Sequence, residues 1–222
     1  MDFERARFNM VEQQIRPWDV LDQDVLDLLF VVKREDFVPP AYRAMAFTDM
    51  EVPLVVDGVR TGEAMFHPRV EARLLQALAV KKHEHVLEVG TGSGYMAALL
   101  AHRARHVVTS EIHPGLAAFG RANLERAGVR NVVAEQRDGS QPPAGGKQFD
   151  VVVLSGSVPF VPDAFLRCLS MGGRLAAIVG EAPVMEAQVV TRTGESGFAA
   201  VNLFETSARA LSGFPARERF RF

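Results

Sequence analysis

Apolar residues recur along this chain in two rhythms, and the change from one to the other sets out the fold. From Phe3 to Ile15 the positions Phe3, Met10, Val11 and Ile15 fall near helical spacing until Pro17 stops the pattern. A second helix is expected from Asp22 to Phe30, capped by Asp22 and apolar at Val25, Leu26, Leu28 and Leu29. Lys33 to Pro40 mixes charge, one aromatic and two prolines, and reads as a loop ending in a rigid corner. Val52, Leu54 and Val55 precede Asp57-Gly58, the residue pair of a tight hairpin turn. Residues 1–67 thus form an N-terminal elaboration of helices and a hairpin, expected over a sheet edge or a pocket mouth.

Pro68 can open a helix at its first position, with Val70, Leu74, Ala77 and Leu78 on one apolar face. Short apolar runs then alternate with helical ones. Strands are expected at 85–89, 106–110, 131–135, 149–154 and 174–179, the last entered through Gly172-Gly173. Helices are expected at 95–102, 116–127 and 162–169 between them. Strands apolar on both faces and separated by helices imply an α/β fold, a doubly wound, mostly parallel sheet with helices on both faces. Val189 to Arg192 and Ala200 to Thr206 add an antiparallel C-terminal hairpin, joined by Thr193 to Gly197. Residues 68–222 make the second division of one compact unit. Arg217 to Phe222 alternates charge with phenylalanine and is read as an edge strand.

The composition narrows the class. A chain of 222 residues, 48% hydrophobic, can bury one substantial core. A net charge of -2 gives no basis for nonspecific binding to nucleic acid or anionic membranes, so the partner is expected to be small or a protein. Cys168 is the single cysteine, which excludes an internal disulfide and cysteine-rich zinc sites; its apolar surroundings suit a packed thiol, and no metal is expected. Asp2, Glu4, Glu12 and several arginines interrupt the start where a signal peptide needs an apolar run, and no run reaches membrane-spanning length. A cytoplasmic location is the expectation.

Candidate chemistry sits at the carboxyl ends of the strands, where open parallel sheets bind ligands. The first such loop is Glu88-x-Gly90-x-Gly92-x-Gly94. A dinucleotide fingerprint counted from Gly90 would need its third glycine at Tyr95, and this chain has none there. A turn of this kind lets a ligand approach the main chain, although a plain strand-to-helix turn has the same look. Glu111 ends the next strand, where a carboxylate can accept from ribose hydroxyls or remain a solvated loop acid. Asp138-Gly139 follows the third strand and can meet an adenine edge or make an ordinary turn. The fourth loop, Leu154-Ser155-Gly156-Ser157-Val158-Pro159, lacks the Asn- or Asp-Pro-Pro-aromatic run of methyltransferases acting on nucleic-acid or glutamine amino groups. With no basic stripe either, a base-flipping enzyme is not expected.

The spacing of the first loop resembles motif I of S-adenosylmethionine-dependent methyltransferases. Further blocks resemble the protein-L-isoaspartate O-methyltransferase family: Met10-Val11 with Gln14-Ile15, Arg34-Glu35-Asp36-Phe37-Val38-Pro39, Tyr42 with Ala46 and Asp49, Phe149-Asp150 and Gly172-Gly173-Arg174. The Arg-Glu-Asp-Phe-Val-Pro block is the specific one, and the resemblance runs over about residues 8 to 180. It implies a seven-stranded methyltransferase sheet, S-adenosyl-L-methionine as cofactor, and methylation of the carboxylate of L-isoaspartyl residues in damaged proteins. The implied cofactor-binding set is Glu88, Gly90, Thr91, Gly92, Gly94, Tyr95, Glu111, Ile112, Asp138, Gly139 and Ser155.

One departure stands out. Family members carry a Thr-Ile-Ser-x-Pro-like run before the helix preceding motif I, its serine facing the methyl group and the substrate carboxylate. Anchoring on Pro68 of Ala64-Met65-Phe66-His67-Pro68 puts Phe66 at that position. His67 and Arg69 are the candidates to supply the lost donor. Two other readings remain open: a methyltransferase of this scaffold with a small or aromatic acceptor, and a cofactor-binding sensor or scaffold without catalysis.

Overall fold

The alternation of apolar residues along the strands decides how the core is divided. In a computed structural model, which describes residues 1–215, Val86, Val151 and Val153 belong to one buried cluster while Leu87, Val152 and Leu154 belong to another. Successive strand residues face opposite sides, so each side of the sheet has its own core. The strands are β3 (His85–Val89), β4 (His106–Glu111), β5 (Val132–Gln136), β6 (Phe149–Val158), β7 (Leu169–Glu181), β8 (Val184–Arg192) and β9 (Phe198–Thr206), ordered β5-β4-β3-β6-β7-β8-β9. β3 to β7 pair in parallel, and β8 and β9 join antiparallel. This is the expected seven-stranded, mostly parallel sheet with its C-terminal hairpin.

The two sides are covered unequally. The first cluster takes in residues of α1 (Phe3–Met10), α2 (Gln23–Val31), α3 (Pro68–Leu78), α4 (Tyr95–Arg103) and α5 (Pro114–Arg126). The second is closed by Phe165 of the short α6 (Asp163–Arg167), with Leu211 and Phe214 packed against it. A separate hairpin of β1 (Val52–Val56) and β2 (Val59–Met65) turns at Asp57-Gly58, both with positive φ, as that pair suggests.

Several boundaries differ from the sequence reading for identifiable reasons. The helix expected to Ile15 becomes a π-turn at Val11–Ile15. Five residues of α-helix rotate by about 500°, leaving Ile15 roughly 140° from the Met10 face. The wider turn returns Ile15 to the core, where both side chains are fully buried. The loop expected at 33–40 contains a 3-10 turn, Arg34–Asp36. The helix expected from Pro162 to Leu169 stops at Arg167, because β7 starts at Leu169 and absorbs Gly172-Gly173 in a register shift against β6. The edge strand expected at Arg217 to Phe222 lies outside the described residues.

The N-terminal quarter and the hairpin edge meet on α3. Trp18 touches Phe204 of β9 edge-on at 5.7 Å, Arg69 lies over Trp18 at 3.9 Å, and Arg73 over Phe204 at 5.7 Å.

Candidate active site

The order β5-β4-β3-β6-β7 reverses direction of travel at β3, and the cleft opens at the carboxyl ends of the strands beside it. After Val89 the chain turns through Gly90, Gly92 and Gly94, with φ of 95°, 50° and 83°. Side chains rarely adopt these values, which explains the glycines. The amides of Gly90 and Thr91 donate to Ser110 O at 2.8 and 3.2 Å, stitching the turn to β4. From the far side α5 presses Gly120 so close that a Cβ there would lie 2.8 Å from Thr91 Cγ2 and 2.9 Å from Gly92 O.

Two carboxylates hold this turn. Glu88, fully buried, accepts from Thr109 Oγ1 at 2.7 Å and Ser155 Oγ at 2.8 Å, and Thr109 Oγ1 meets Thr91 Oγ1 at 2.7 Å. Burial pushes the Glu88 carboxyl up to about 7 despite those two donors. Glu111 accepts from Gly92 N at 2.9 Å and His113 N at 3.0 Å. Each of its oxygens keeps a second lone pair, so it can still accept from a ligand.

The cleft encloses about 780 Å³, its mouth included. It is lined by Leu54 and Glu63 to Phe66 from the hairpin and its end, by the glycine turn and Ser155 after β3 and on β6, by Ile112 and Leu211 after β4 and β9, and by the buried Glu71 and Met96 of α3 and α4. Four carboxyl groups line it, those of Glu63, Glu71, Glu88 and Glu111, and among the described residues no Lys, Arg or His does. Burial with the neighbouring Glu111 charge raises the Glu63 carboxyl, and burial raises Glu71 to about 7 against the opposing pull of Arg34. An acidic wall of this kind suits a cationic ligand and repels a pyrophosphate. S-adenosylmethionine, a sulfonium carrying an ammonium group, fits this donor set.

A sequence profile of the family described as Protein-L-isoaspartate(D-aspartate) O-methyltransferase matches residues 5–206. The chain belongs to this family. Its relatives include the protein-L-isoaspartate O-methyltransferase of Koribacter versatilis, 36% identical over 190 residues that cover 86% of this chain and 83% of the relative. The protein of the same name from Syntrophotalea carbinolica is 35% identical over 213 residues, 96% of each chain. The fold matches that of a Plasmodium falciparum protein assigned to the same enzyme and crystallised with S-adenosyl-L-homocysteine. That match has a TM-score of 0.77 at 19% identity and covers 92% of this chain and 97% of the other. A solved protein-L-isoaspartate O-methyltransferase gives a TM-score of 0.79 at 21% identity over 95% of this chain and 66% of its own.

Of the residues the family resemblance singles out, Phe66, Glu88, Gly90, Thr91, Gly92, Glu111, Ile112, Gly139 and Ser155 come together on the cleft wall. Gly94 caps α4 beneath the turn. Tyr95 is buried and does not line the cleft, its ring 5.4 Å from Phe37 and under the Arg34 guanidinium, its hydroxyl without a hydrogen-bond partner among the described residues. Asp138 is exposed and turned to its own loop, accepting from Ser140 N at 2.8 Å; that contact holds its carboxyl below the usual range. His67 and Arg69 both face Asp49, at 3.2 and 2.7 Å, and neither reaches the cleft wall.

Several contributors, Glu63 among them, escaped the sequence reading, and three show why. Glu71 sits on the first turn of α3 next to Val70 of its apolar face, and is buried with it. Leu211 comes from the segment after β9, which docks along β6 through Ser157 N to Arg209 O at 2.7 Å and Leu211 N to Ser157 O at 2.9 Å. Asn123 donates to Ser93 O at 2.9 Å and Phe37 O at 3.3 Å, tying α5 to the turn and to the Arg-Glu-Asp-Phe block. That block could have pointed to Glu71, because Arg34 is its buried cation and needs a buried acid.

Proposed function

We propose that this chain is an S-adenosylmethionine-dependent methyltransferase that esterifies the side-chain carboxylate of L-isoaspartyl residues in damaged proteins. The acid-lined cleft over the glycine turn carries the reading, in a chain that belongs to the isoaspartyl methyltransferase family. When bound, the cofactor supplies an electrophilic methyl group. The acceptor carboxylate is ionised at neutral pH and needs no general base, so the protein's work is alignment and exclusion of water. Glu88 fixes the glycine turn through Thr109 and Ser155; Glu111 would offer its free lone pairs to the cofactor's hydroxyls, and Gly139 and Ile112 would help hold the cofactor on the cleft wall. Phe66, Met65 and Leu54, all buried, form an apolar roof that would keep water from a bound methyl donor. Residues 1–67 serve as the elaboration that brings this roof over a cofactor-binding unit of residues 68–222. A cytoplasmic location suits the free buried thiol of Cys168, and no helix among the described residues is long and apolar enough to cross a membrane.

Incubating the protein with labelled cofactor and an isoaspartyl peptide should transfer label to the peptide and not to its aspartyl isomer. Cofactor binding without transfer would sink the reading. Phe66 on the roof favours a second reading, a small or aromatic acceptor, and Phe66→Ser separates the two. Creation of isoaspartyl activity from none supports the second, while an already active parent rejects it.

A further inference from the structure

A carboxylate acceptor meets a difficulty in this cleft, because four carboxyl groups already line it. Like charges brought together with little water between them repel strongly, and the positive charge of a bound cofactor is already shared among these acids, so an anionic side chain settles more readily beside a carboxyl that is neutral. Glu88 and Glu111 are each held by two protein donors, and Glu63 lies nearer the Glu111 end of the cleft.

Glu71 differs from all three. It lines the cleft with Phe66, is 3% exposed, and its Oε2 accepts from Arg34 Nη1 at 3.1 Å. Among the described residues no donor reaches its Oε1. Arg34 is itself fully buried and gives its other terminal nitrogen to the Phe66 carbonyl at 2.6 Å, so one guanidinium sets both Glu71 and the roof residue next to it. The charged and titratable groups facing Glu71 are few. Among the described residues they are Arg34 with the buried Arg7–Glu35 pair behind it, Glu88 from β3 and Tyr95 from α4, while Glu63 and Glu111 line the same cleft further off.

We propose that Glu71, held by Arg34, binds the acceptor carboxylate directly, carrying a proton on Oε1 and donating it as a hydrogen bond. The proton comes from solvent, stays on Glu71 through methyl transfer, and no bond to it is broken in the reaction. Its raised carboxyl, about 7, makes the neutral form accessible at working pH. An anion beside it favours that form further. The proposal rests on the isoaspartyl reading above.

Calorimetry of isoaspartyl peptide binding to protein saturated with S-adenosylhomocysteine tests it, run in buffers of different ionisation enthalpy to count protons. Uptake approaching one proton per peptide is expected near pH 8 and little near pH 6. Glu71→Gln keeps an acceptor for Arg34 and a donor for the peptide, and should abolish the uptake and flatten the pH dependence of affinity. Glu71→Leu, if folded by circular dichroism, should weaken binding about tenfold to a hundredfold. Binding with no proton uptake, or with uptake that survives in Glu71→Gln, overturns this proposal and leaves the isoaspartyl reading standing. No peptide binding by the unaltered, cofactor-saturated protein overturns both.

Discussion

Glu71 and Glu88 are acids placed where water does not reach, and their burial makes the stability of the fold depend on pH. Both carboxyls are raised to about 7 from 4.5. The folded chain therefore holds protons that the unfolded chain has released, and stability falls as pH rises through the folded value. His102 and His106, lowered mainly by burial, work in the opposite sense and offset part of this until the unfolded imidazoles have lost their protons, about one unit above their ordinary 6.5. Between pH 6.5 and 8 the ligand-free protein should lose about 1 kcal/mol for each carboxyl. Denaturant midpoints at the two pH values measure this, and Glu88→Gln should reduce the loss by about 1 kcal/mol, the share of that carboxyl. An unchanged midpoint would show both groups already charged. The glycines and Glu111 were legible in the sequence because their types and spacing are local signals. Glu71 was not, since a lone acid on a helix looks solvated until Arg34, 37 residues earlier, is folded against it.

At the scale of elements, α5 supports the site without lining most of it. Its Gly120 lets the helix sit directly on the main chain of the turn, and its Asn123 ties Ser93 O to Phe37 O. Gly120→Ala should push α5 off the turn, lowering stability by about 1 to 3 kcal/mol and weakening cofactor affinity together. Thermal denaturation and cofactor titration read the two effects; a full-affinity variant would show that the turn yields without harm. The parallel strands and the β8–β9 hairpin were legible because unbroken apolar runs bounded by Gly and Pro have few other uses. The π-turn and the segment carrying Leu211 were hidden. The first depends on where the core lies, the second on docking against β6, and neither leaves a periodic trace in the sequence.

Across the whole molecule, the part of the cleft around Phe66 and Glu71 is assembled from segments far apart in the chain. Arg34 from the N-terminal quarter, Phe66 and Glu71 around the start of α3, and Leu211 beyond β9 converge on one end of the sheet. Family membership was legible from the Arg34 to Pro39 block, whose buried Arg34, Glu35 and Phe37 now account for its composition. What could not be read was that His67 and Arg69 spend themselves on Asp49. The contacts of Trp18, Phe204, Arg69 and Arg73 close a clasp across α3. Such a clasp has a mechanical meaning. Neither the N-terminal arm nor the β9 edge can peel away without baring the helix that carries Glu71, so local opening of either is coupled to loss of the acceptor wall. Amide exchange along α3 should then slow to the rate of the central strands, and Trp18→Ala should speed exchange in α3 well before it affects β3.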